Sequence, residues 1–301
     1  MERRNAKISE ISALLHAKYI GNDIGIEGLG LSNRSSCYKS LLSYVVSEAY
    51  LNLAIKNKNI KSLILTETLY QSLSDKIKDR FSFILSEFPE EDFYKVHQML
   101  YSQTDFYEKF VFDSVIGEDC NIHSSVVIEP GVVIGKGVTI EANSVINRGS
   151  VIGDNTRIGS CTVIGSKGFQ ILKDSKGHPY NSIHVGGTQI GNNAWIGDHV
   201  TICNSIFEDA VHIGSYTYID SHCYIAHNCN IEENCVLTAG VLQMGSSRIN
   251  RGSWIAPGVI ILNRVTINSN ALVGASSLVN KNIDSDSIAF GIPARFHRKI
   301  K

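Results

Sequence analysis

His227 and Gly245 are the two residues whose types and spacing could do chemistry together. His227 stands in the segment IAHNCN, and Gly245 follows it by 18 residues in the segment MGSS. A histidine can remove the proton of an attacking amine or hydroxyl, and a glycine lets a reacting group approach its backbone N–H. A base beside an N–H that stabilises an oxyanion is the minimum needed for acyl transfer. The pair can act only if residues 18 apart are neighbours in space.

A ladder of six-residue steps between about Asp113 and Ile283 supplies that proximity. The period suits short strands that bury one β-branched residue and then turn a corner at Gly, Asn, Asp or Ser. Such repeats are typical of a parallel β-helix, so the fold class is mainly β. The 24 steps predict about eight coils of 18 residues, ~4.8 Å apart. The ladder residues, among which only Gln243 is polar, are Ile116, Ile122, Ile128, Ile134, Ile140, Ile146, Ile152, Ile158, Ile164, Ile190, Ile196, Ile202, Ile213, Ile219, Ile225, Ile231, Leu237, Gln243, Ile249, Ile255, Ile261, Ile267, Val273 and Val279.

Because coils stack on one another, we expect further polar residues of the candidate site close to His227. Gly245 is expected over His227, and Asn263 lies one coil beyond Gly245, where it could donate to substrate or thioester. Asn228 adjoins the histidine and is a second candidate for substrate contact. These positions define one edge of the β-helix as the candidate site.

The carboxylate that would orient His227 is open between two residues. Asp220 belongs to the preceding face and would reach a histidine only across a subunit boundary. Asp209 lies about one coil before His227 after a one-residue slip. The sequence does not choose between them.

A metal site is a weaker interpretation of the same histidines. His222 and His227 are five apart, which resembles two of the three zinc ligands of the γ-class carbonic anhydrases. That family would need a third histidine at position 186, where this chain has Gly186, and His184 belongs to a loop. We therefore expect no metal.

The ladder is interrupted at residues 165–188, which we expect to leave the coil as an extended loop. A loop ejected from a regular solenoid is commonly functional, because it can cover a groove that flat faces cannot form. Phe169 and His184 in this loop are candidate substrate contacts, although a neutral surface insertion is the alternative.

Residues 1–108 lack the six-residue period and indicate a separate α/β domain before the β-helix of residues 109–283. Tyr44 and Tyr50, six apart, either cover the domain's edge or hold a planar base by stacking. Residues 284–301 form a short tail with a basic end, which is expected to be solvated or to meet phosphates.

Composition limits the partners and the compartment. A formal charge of -1 predicts no general affinity for nucleic acid or anionic membrane. The N-terminus lacks an apolar signal region, and no apolar stretch reaches membrane-spanning length, so we expect no membrane insertion. Cys223, Cys229 and Cys235 share one phase of the ladder and fit small reduced core residues of a cytoplasmic protein.

The segments IAHN, GSKGF and VGGTQIG, together with the aromatic pair, resemble the LpxD family, the UDP-3-O-acylglucosamine N-acyltransferases of the lipid A pathway. The resemblance implies a left-handed β-helix that assembles as a homotrimer with sites between subunits. It also implies that His227 is the general base, that Gly245 supplies the oxyanion N–H, and that Tyr44 and Tyr50 stack on uracil.

Two departures from the LpxD family concern the acyl donor. Asn263 stands where that family usually has a histidine, and the C-terminal helices that receive acyl carrier protein are missing. The ending is similar instead to coenzyme A-dependent sugar N-acyltransferases of surface glycans. That similarity implies a coenzyme A site formed by Gly274, Ala275, Arg295, Arg298 and Lys299.

The sequence thus predicts an N-acyltransferase that uses acyl-coenzyme A and a UDP- or dTDP-linked amino sugar, with no bound cofactor. The alternatives are lipid A acylation from acyl carrier protein and, more remotely, a carbonic anhydrase or a scaffold without activity.

Overall fold

The computed structural model describes residues 5–32, 38–174, 176–207 and 209–300. The chain forms two compact units. The first comprises Met1–Glu108 and Gln170–Val185, and the second comprises Lys109–Phe169 and Gly186–Lys301. The expected α/β domain of residues 1–108 thus lies in the first unit, which also takes up most of the ejected loop.

The second unit turns its hexads into strands of two to four residues before a closing hairpin. Most strands end on a buried ladder residue and are followed by a turn, whereas two run on to Ser166 and Cys203, and Ile116 at the end of the first strand is exposed. The strands are β8 Val115–Ile116, β9 Asn121–Ile122, β10 Val127–Ile128, β11 Val133–Ile134, β12 Thr139–Ile140, β13 Val145–Ile146, β14 Ser150–Ile152, β15 Arg157–Ile158, β16 Val163–Ser166, β19 Gly187–Ile190, β20 Trp195–Ile196, β21 Thr201–Cys203, β22 Ala210–Ile213, β23 Tyr218–Ile219, β24 Tyr224–Ile225, β25 Asn230–Ile231, β26 Val236–Leu237, β27 Leu242–Gln243, β28 Arg248–Ile249, β29 Trp254–Ile255, β30 Ile260–Ile261, β31 Thr266–Ile267, β32 Leu272–Val273, β33 Leu278–Val279, β34 Ser287–Gly291 and β35 Ala294–Lys299.

These strands form three parallel sheets of eight, eight and ten strands, and every third strand joins the same sheet. In a regular coil, each ladder residue pairs with the one 18 positions later, as Ile128 does with Ile146. The architecture is the expected left-handed parallel β-helix of about eight coils. Each coil hydrogen-bonds only to its neighbours, so the chain builds the prism one layer at a time.

The prism is filled by its ladder side chains and by small residues at the opposite inward position. Cys229 is 1% exposed, and its thiol donates to the Met244 carbonyl one coil on, with Sγ and O 3.2 Å apart. Cys223 and Cys235 make the corresponding bonds to Thr238 and Asn250. Burial raises the pKa of the Cys229 thiol to about 12. These cysteines are therefore core hydrogen-bond donors.

Two interruptions break the ladder, and the first is shorter than the expected loop of residues 165–188. Gly165 and Ser166 continue β16, while Gly187 pairs with β22 and Thr188 pairs with both β14 and β22. The prediction was wrong at both ends because the parallel ladder continues past the last isoleucine. The second interruption follows β21, where eleven residues instead of six separate the ladder residues Ile202 and Ile213.

The first unit contains a mixed five-stranded sheet. Its strands lie in the order Tyr19–Ile20, Ser82–Leu85, Ile60–Leu65, Leu41–Tyr44 and Gly28–Leu29. Within the described residues, no helix is both long and apolar enough to cross a membrane. The elements of this unit are β1 Ala6–Lys7, α1 Ile8–Leu14, β2 Tyr19–Ile20, β3 Gly25–Ile26, β4 Gly28–Leu29, β5 Leu41–Tyr44, α2 Glu48–Lys56, β6 Ile60–Leu65, α3 Glu67–Gln71, α4 Asp75–Lys78, β7 Ser82–Leu85, α5 Pro89–Gln103, and the loop hairpin of β17 Ile171–Lys173 and β18 Pro179–Asn181.

The loop hairpin is held to its unit by a buried histidine of α5. His97 is 0% exposed, and its Nε2 lies 3.2 Å from the Ile183 carbonyl. Its Nδ1 lies 2.8 Å from the Tyr107 hydroxyl. His97 therefore connects the end of the loop, at Ile183, with α5 and Tyr107.

The C-terminal residues form structure rather than the expected solvated tail of residues 284–301. Strands β34 and β35 make an antiparallel hairpin, and β34 pairs in parallel with β32. The hairpin thus closes one sheet of the prism. The prediction failed because the hexad period stops at Val279 while backbone pairing continues.

Candidate active site

His227 lies at the corner that follows β24, and only 5% of it is exposed. Its Nδ1 lies 3.0 Å from Oδ1 of Asn228, the next residue. Asn228 adopts a left-handed backbone conformation with φ of 58°, which asparagine tolerates better than most residues. This corner conformation folds the amide back onto the imidazole.

The hydrogen bonds of Asn228 indicate the tautomer of His227. The backbone N–H of Ile206 donates to Asn228 Oδ1 over 3.3 Å, so this atom is the carbonyl oxygen. An amide oxygen only accepts, so the contact is a hydrogen bond in the tautomer that carries the proton on His227 Nδ1. The lone pair of the neutral imidazole is then on Nε2, which is the arrangement of a general base.

Gly245 lies against the imidazole of His227. A Cβ built on Gly245 would lie 2.6 Å from Cε1 and 2.7 Å from Nε2 of the ring. Only glycine lets the backbone come this close. The predicted stacking of the two residues therefore has a direct geometric counterpart.

Some corner N–H groups at positions equivalent to Gly245 are capped by a side chain of the next coil. At Lys136 the corresponding N–H donates to Asp154 Oδ1, and at Ser160 it donates to Asp198 Oδ1, over 2.9 and 2.8 Å. Among the described residues, no side chain caps Gly245 in this way. An uncapped N–H beside a histidine base is a ready donor to an oxyanion.

The second interruption supplies the remaining contacts of this corner. Asn228 Nδ2 donates to Ser205 Oγ, and Ser205 O accepts from the Gly186 N–H over 3.0 Å. Asn204 Nδ2 donates to the Gly186 carbonyl over 3.2 Å. The insertion at residues 204–209 is thus bonded on one side to Asn228 and on the other to the end of the ejected loop.

The two carboxylate candidates occupy different places. Asp220 lies at the preceding corner, and its Oδ1 accepts from the Ser221 N–H over 2.7 Å. Asp209 ends the insertion directly before β22, and the register of β22 with β25 aligns it with His227. The amide of Asn228, which the sequence had indicated only for substrate, also contacts the imidazole, and the choice between the two carboxylates stays a prediction.

The sequence missed Ser205 and Ile206, although a signal was available. The ladder passes from Ile202 to Ile213, an interval of eleven residues instead of six. Asp209 was placed after a one-residue slip, and the five additional residues were given no role. They are the insertion that reaches Asn228.

The carbonic anhydrase interpretation meets a steric obstacle at position 186. A Cβ on Gly186 would overlap the carbonyl oxygens of Phe207 and Asp209. His222 lies at the corner before β24, and its ring stacks on His199 with centroids 5.0 Å apart. His222 and His227 are therefore on two different corners.

The predicted donor-site residues lie elsewhere on the second unit. The register aligns Asn263 with Gly245, and Asn263 is exposed. Gly274 and Ala275 are at the corner after β32, where the Gly274 N–H donates to the Ala289 carbonyl over 2.9 Å. The side chains of Arg295, Arg298 and Lys299 are exposed along β35.

Phe169 and His184 differ in their surroundings. Phe169 is 73% exposed at the end of its stretch of the second unit. His184 belongs to the first unit, where its Nδ1 lies 3.0 Å from the Ser182 carbonyl. Burial lowers the pKa of His184 to about 4, so it is neutral near pH 7.

The aromatic pair of the first unit is unequal. Tyr44 packs against Phe93 and Tyr94, with ring centroids 5.0 and 6.3 Å apart, and its hydroxyl donates to Glu90 over 2.6 Å. Burial and this hydrogen bond raise the pKa of the Tyr44 hydroxyl, so it stays protonated. Tyr50 is 39% exposed on α2. Tyr44 is thus partly a core residue.

Comparison with known proteins finds a family whose repeats match part of the ladder. Residues 113–148 and 134–166 match the bacterial transferase hexapeptide family (six repeats). A galactoside O-acetyltransferase of Lactococcus lactis is 44% identical over 52 residues, which are 17% of this chain and 25% of that protein. The chain thus spans about a quarter of the length of the curated relatives it matches.

Solved structures share the fold at low identity. LpxA, a UDP-N-acetylglucosamine acyltransferase from Bacteroides fragilis, aligns with a TM-score of 0.56 and 23% identity, covering 64% of this chain and 74% of its own. The UDP-N-acetylglucosamine acyltransferase of Francisella novicida aligns with a TM-score of 0.52 and 20% identity, covering 64% and 70%. The second unit is a left-handed β-helix that carries the bacterial transferase hexapeptide repeat.

Proposed function

We propose that this protein is an acyltransferase that moves an acyl group from acyl-coenzyme A to the amine of a UDP- or dTDP-linked amino sugar. The observation that carries the proposal is the contact between the His227 imidazole and the backbone of Gly245. A base and an uncapped N–H at one corner are the two groups that acyl transfer requires. The acyltransferase names of its relatives support the same reaction type.

The proposed reaction uses these groups in sequence. His227 Nε2 removes a proton from the sugar amine as its nitrogen attacks the thioester carbonyl. The Gly245 N–H donates to the oxyanion of the tetrahedral intermediate. The intermediate then collapses, the C–S bond breaks, and the imidazolium returns the proton to the thiolate. One such N–H is worth about 10²- to 10³-fold in rate.

The substrate assignments rest on the LpxD resemblance and on chemistry. The first unit holds the nucleotide, with Tyr50 and the exposed part of Tyr44 against the base. The phosphates of coenzyme A meet the cations of β35, and Gly274 lies along the pantetheine arm. The working enzyme is a cytoplasmic homotrimer.

A second candidate is transfer to a hydroxyl, or to the lipid A precursor from acyl carrier protein. The names of the relatives favour it, because the Lactococcus relative is an O-acetyltransferase and the Bacteroides structure acts on UDP-N-acetylglucosamine. The same base and N–H serve either acceptor. Only the acceptor atom and the donor differ.

A thiol-release assay tests both candidates. Acetyl-, 3-hydroxybutyryl- and longer acyl-coenzyme A are crossed with UDP- and dTDP-linked amino sugars and with matched hydroxyl sugars. We expect thiol release that depends on one amino sugar. Release with the hydroxyl sugars, or with acyl carrier protein alone, would favour the second candidate. No turnover with any donor would refute the acyltransferase proposal.

A further inference from the structure

Gln243 is the one polar residue of the ladder, and it lies directly before the turn that carries Gly245. It is 0% exposed. Its register neighbours one coil below and above, Ile225 and Ile261, are also 0% exposed. An amide thus occupies a position that is apolar in every other step of the prism.

The hydrogen bonds of Gln243 are only half complete. Its Nε2 donates to the Ser247 carbonyl over 3.3 Å. Its Oε1 has no hydrogen-bond partner among the described residues. A buried amide oxygen without a partner destabilises a fold, and an apolar side chain of similar shape would avoid that cost. Packing alone therefore does not explain why an amide stands here.

The bond to Ser247 spans the turn of residues 244–247. Ser247 Oγ donates to the Met244 carbonyl over 2.7 Å, and the Cys229 thiol donates to the same oxygen over 3.2 Å. The Ser246 N–H donates to the His227 carbonyl over 3.0 Å. Three core side chains thus hold the two ends of the turn while Gly245 faces His227.

The equivalent turn one coil later allows a comparison with a turn that follows an apolar ladder residue. Residues 262–265 follow the apolar ladder residue Ile261, and Val265 stands where Ser247 stands. Its backbone bond, from the Val265 N–H to the Leu262 carbonyl over 3.3 Å, matches that of the first turn. Within the described residues, no core side chain bonds to this second turn. Bonds like those of Cys229 and Ser247 recur at other turns, as from Cys235 to Asn250 and from Ser277 to Gly274, so among the described residues the bond from Gln243 is particular to the turn beside the histidine.

We infer that Gln243 is a positioning residue that fixes the turn of residues 244–247 and thereby the Gly245 N–H beside His227. This inference rests on the proposed function for its catalytic consequence. Gln243 touches no substrate and acts only through the turn. A displacement of the N–H by a fraction of an ångström weakens a bond that forms only in the transition state, so kcat falls while substrate binding is kept.

The test replaces Gln243 in the full chain by methionine, which keeps the length of the side chain and removes the donor. We expect the melting temperature to stay the same or rise, and backbone amide exchange in residues 244–247 to accelerate about tenfold or more. We expect kcat for acetyl-coenzyme A with the accepted amino sugar to fall about 10- to 100-fold, with each KM within about twofold. Ile261→Met, which places methionine at the register neighbour one coil later, is the control. It should alter neither the melting temperature, the amide exchange nor the kinetic constants.

Several outcomes would overturn the inference. Gln243→Met could match Ile261→Met in exchange and kcat, or both Gln243→Met and Gln243→Leu could fail to fold, which would make the amide structural. The two proposals fail separately. If His227→Ala keeps full activity, the proposed chemistry is wrong, whereas the exchange measurement still decides whether Gln243 holds the turn.

Discussion

The regular coils of the β-helix and its interrupted segment, residues 165–212, are built from the same hexads but treat their polar groups differently. At some corners of the regular coils, the N–H group is capped by a side chain of an adjacent coil, as Lys136 is by Asp154. In the interrupted segment, Ser205 and Ile206 bond instead to Asn228, beside His227. The regular coils supply a rigid frame that carries His227 and Gly245, and the departure from regularity supplies further hydrogen bonds to Asn228 beside the histidine.

The strongest test of this comparison is His227→Ala. Loss of a general base costs about 10²- to 10⁴-fold in rate, and a substitution at a corner should leave the coils intact. Thiol release and circular dichroism would measure the two effects. His222→Ala, at the neighbouring corner, is the matched control and should keep its activity. Retention of more than a few per cent of the rate by His227→Ala would remove His227 from the mechanism, and the contacts of the insertion with Asn228 would then have no catalytic role.

Gly245→Ala should give the next largest effect. The added Cβ would lie 2.6 Å from the His227 ring, so the ring or the turn must move. We expect a loss of about 100-fold in kcat/KM, because both the base and the N–H are displaced. At Gly240, φ is 70° and an added Cβ meets nothing within 4 Å. Gly240→Ala should therefore cost stability through its backbone but keep the rate of the folded protein. Equal rates for the two variants would contradict the proposed contact.

Asn228→Asp sharpens the comparison by changing a charge. A carboxylate beside Nδ1 stabilises the imidazolium, so the base is neutral only at higher pH. The pH at which kcat/KM reaches half its maximum should move up, whereas Asn228→Ala should lower the rate about tenfold at every pH through loss of orientation. Rate profiles from pH 5 to 9 would separate these effects. An unchanged profile for Asn228→Asp would show that another residue orients His227.

The smallest expected effect concerns the stability of the ejected loop rather than the rate. Burial lowers the pKa of His184 to about 4, from an unfolded value near 6.5. The unfolded chain therefore binds the proton more readily, and stability decreases as the pH falls from about 6.5 to 4, by at most about 3 kcal/mol.

Thermal unfolding at pH 7 and pH 4.5 tests the His184 prediction. His184→Asn should reduce the difference in melting temperature between the two pH values. His178→Asn is the control, because His178 lies on the same loop with 74% of its side chain exposed. If the melting temperatures of both variants fall between pH 7 and pH 4.5 by as much as that of the wild type, His184 is not the group responsible.

Much of the fold could be predicted because a hexad ladder encodes both the burial and the register of each strand. Ile225 and Gly245 could be placed in space by counting from the period. Counting by six fails where the ladder is interrupted. For this reason the contacts of the insertion after Ile202 were not predicted, and both ends of the ejected loop were placed wrongly. The C-terminal hairpin escaped because antiparallel pairing leaves no six-residue period.

The candidate site was predictable in part for the same reason. His227 and Gly245 are one regular coil apart, so their contact follows from the period. Ser205 and Asn228 are 23 residues apart rather than 18, because an irregular insertion separates them, so the period does not reveal their contact. The orientation of an imidazole depends on a side-chain amide, and the sequence shows only that the amide is present.

The register across the ejected loop has a consequence for chain entropy and folding. Ile140 pairs with Ile158, 18 residues on, whereas Ile158 pairs with Ile196, 38 residues on. Closing the longer span costs only about 0.6 kcal/mol more, because closure entropy grows with the logarithm of length. The blocks of regular coils on either side can each close by local steps, and the long span joins them last. A prism of this kind can therefore acquire a new loop at a corner without disturbing the coils already formed.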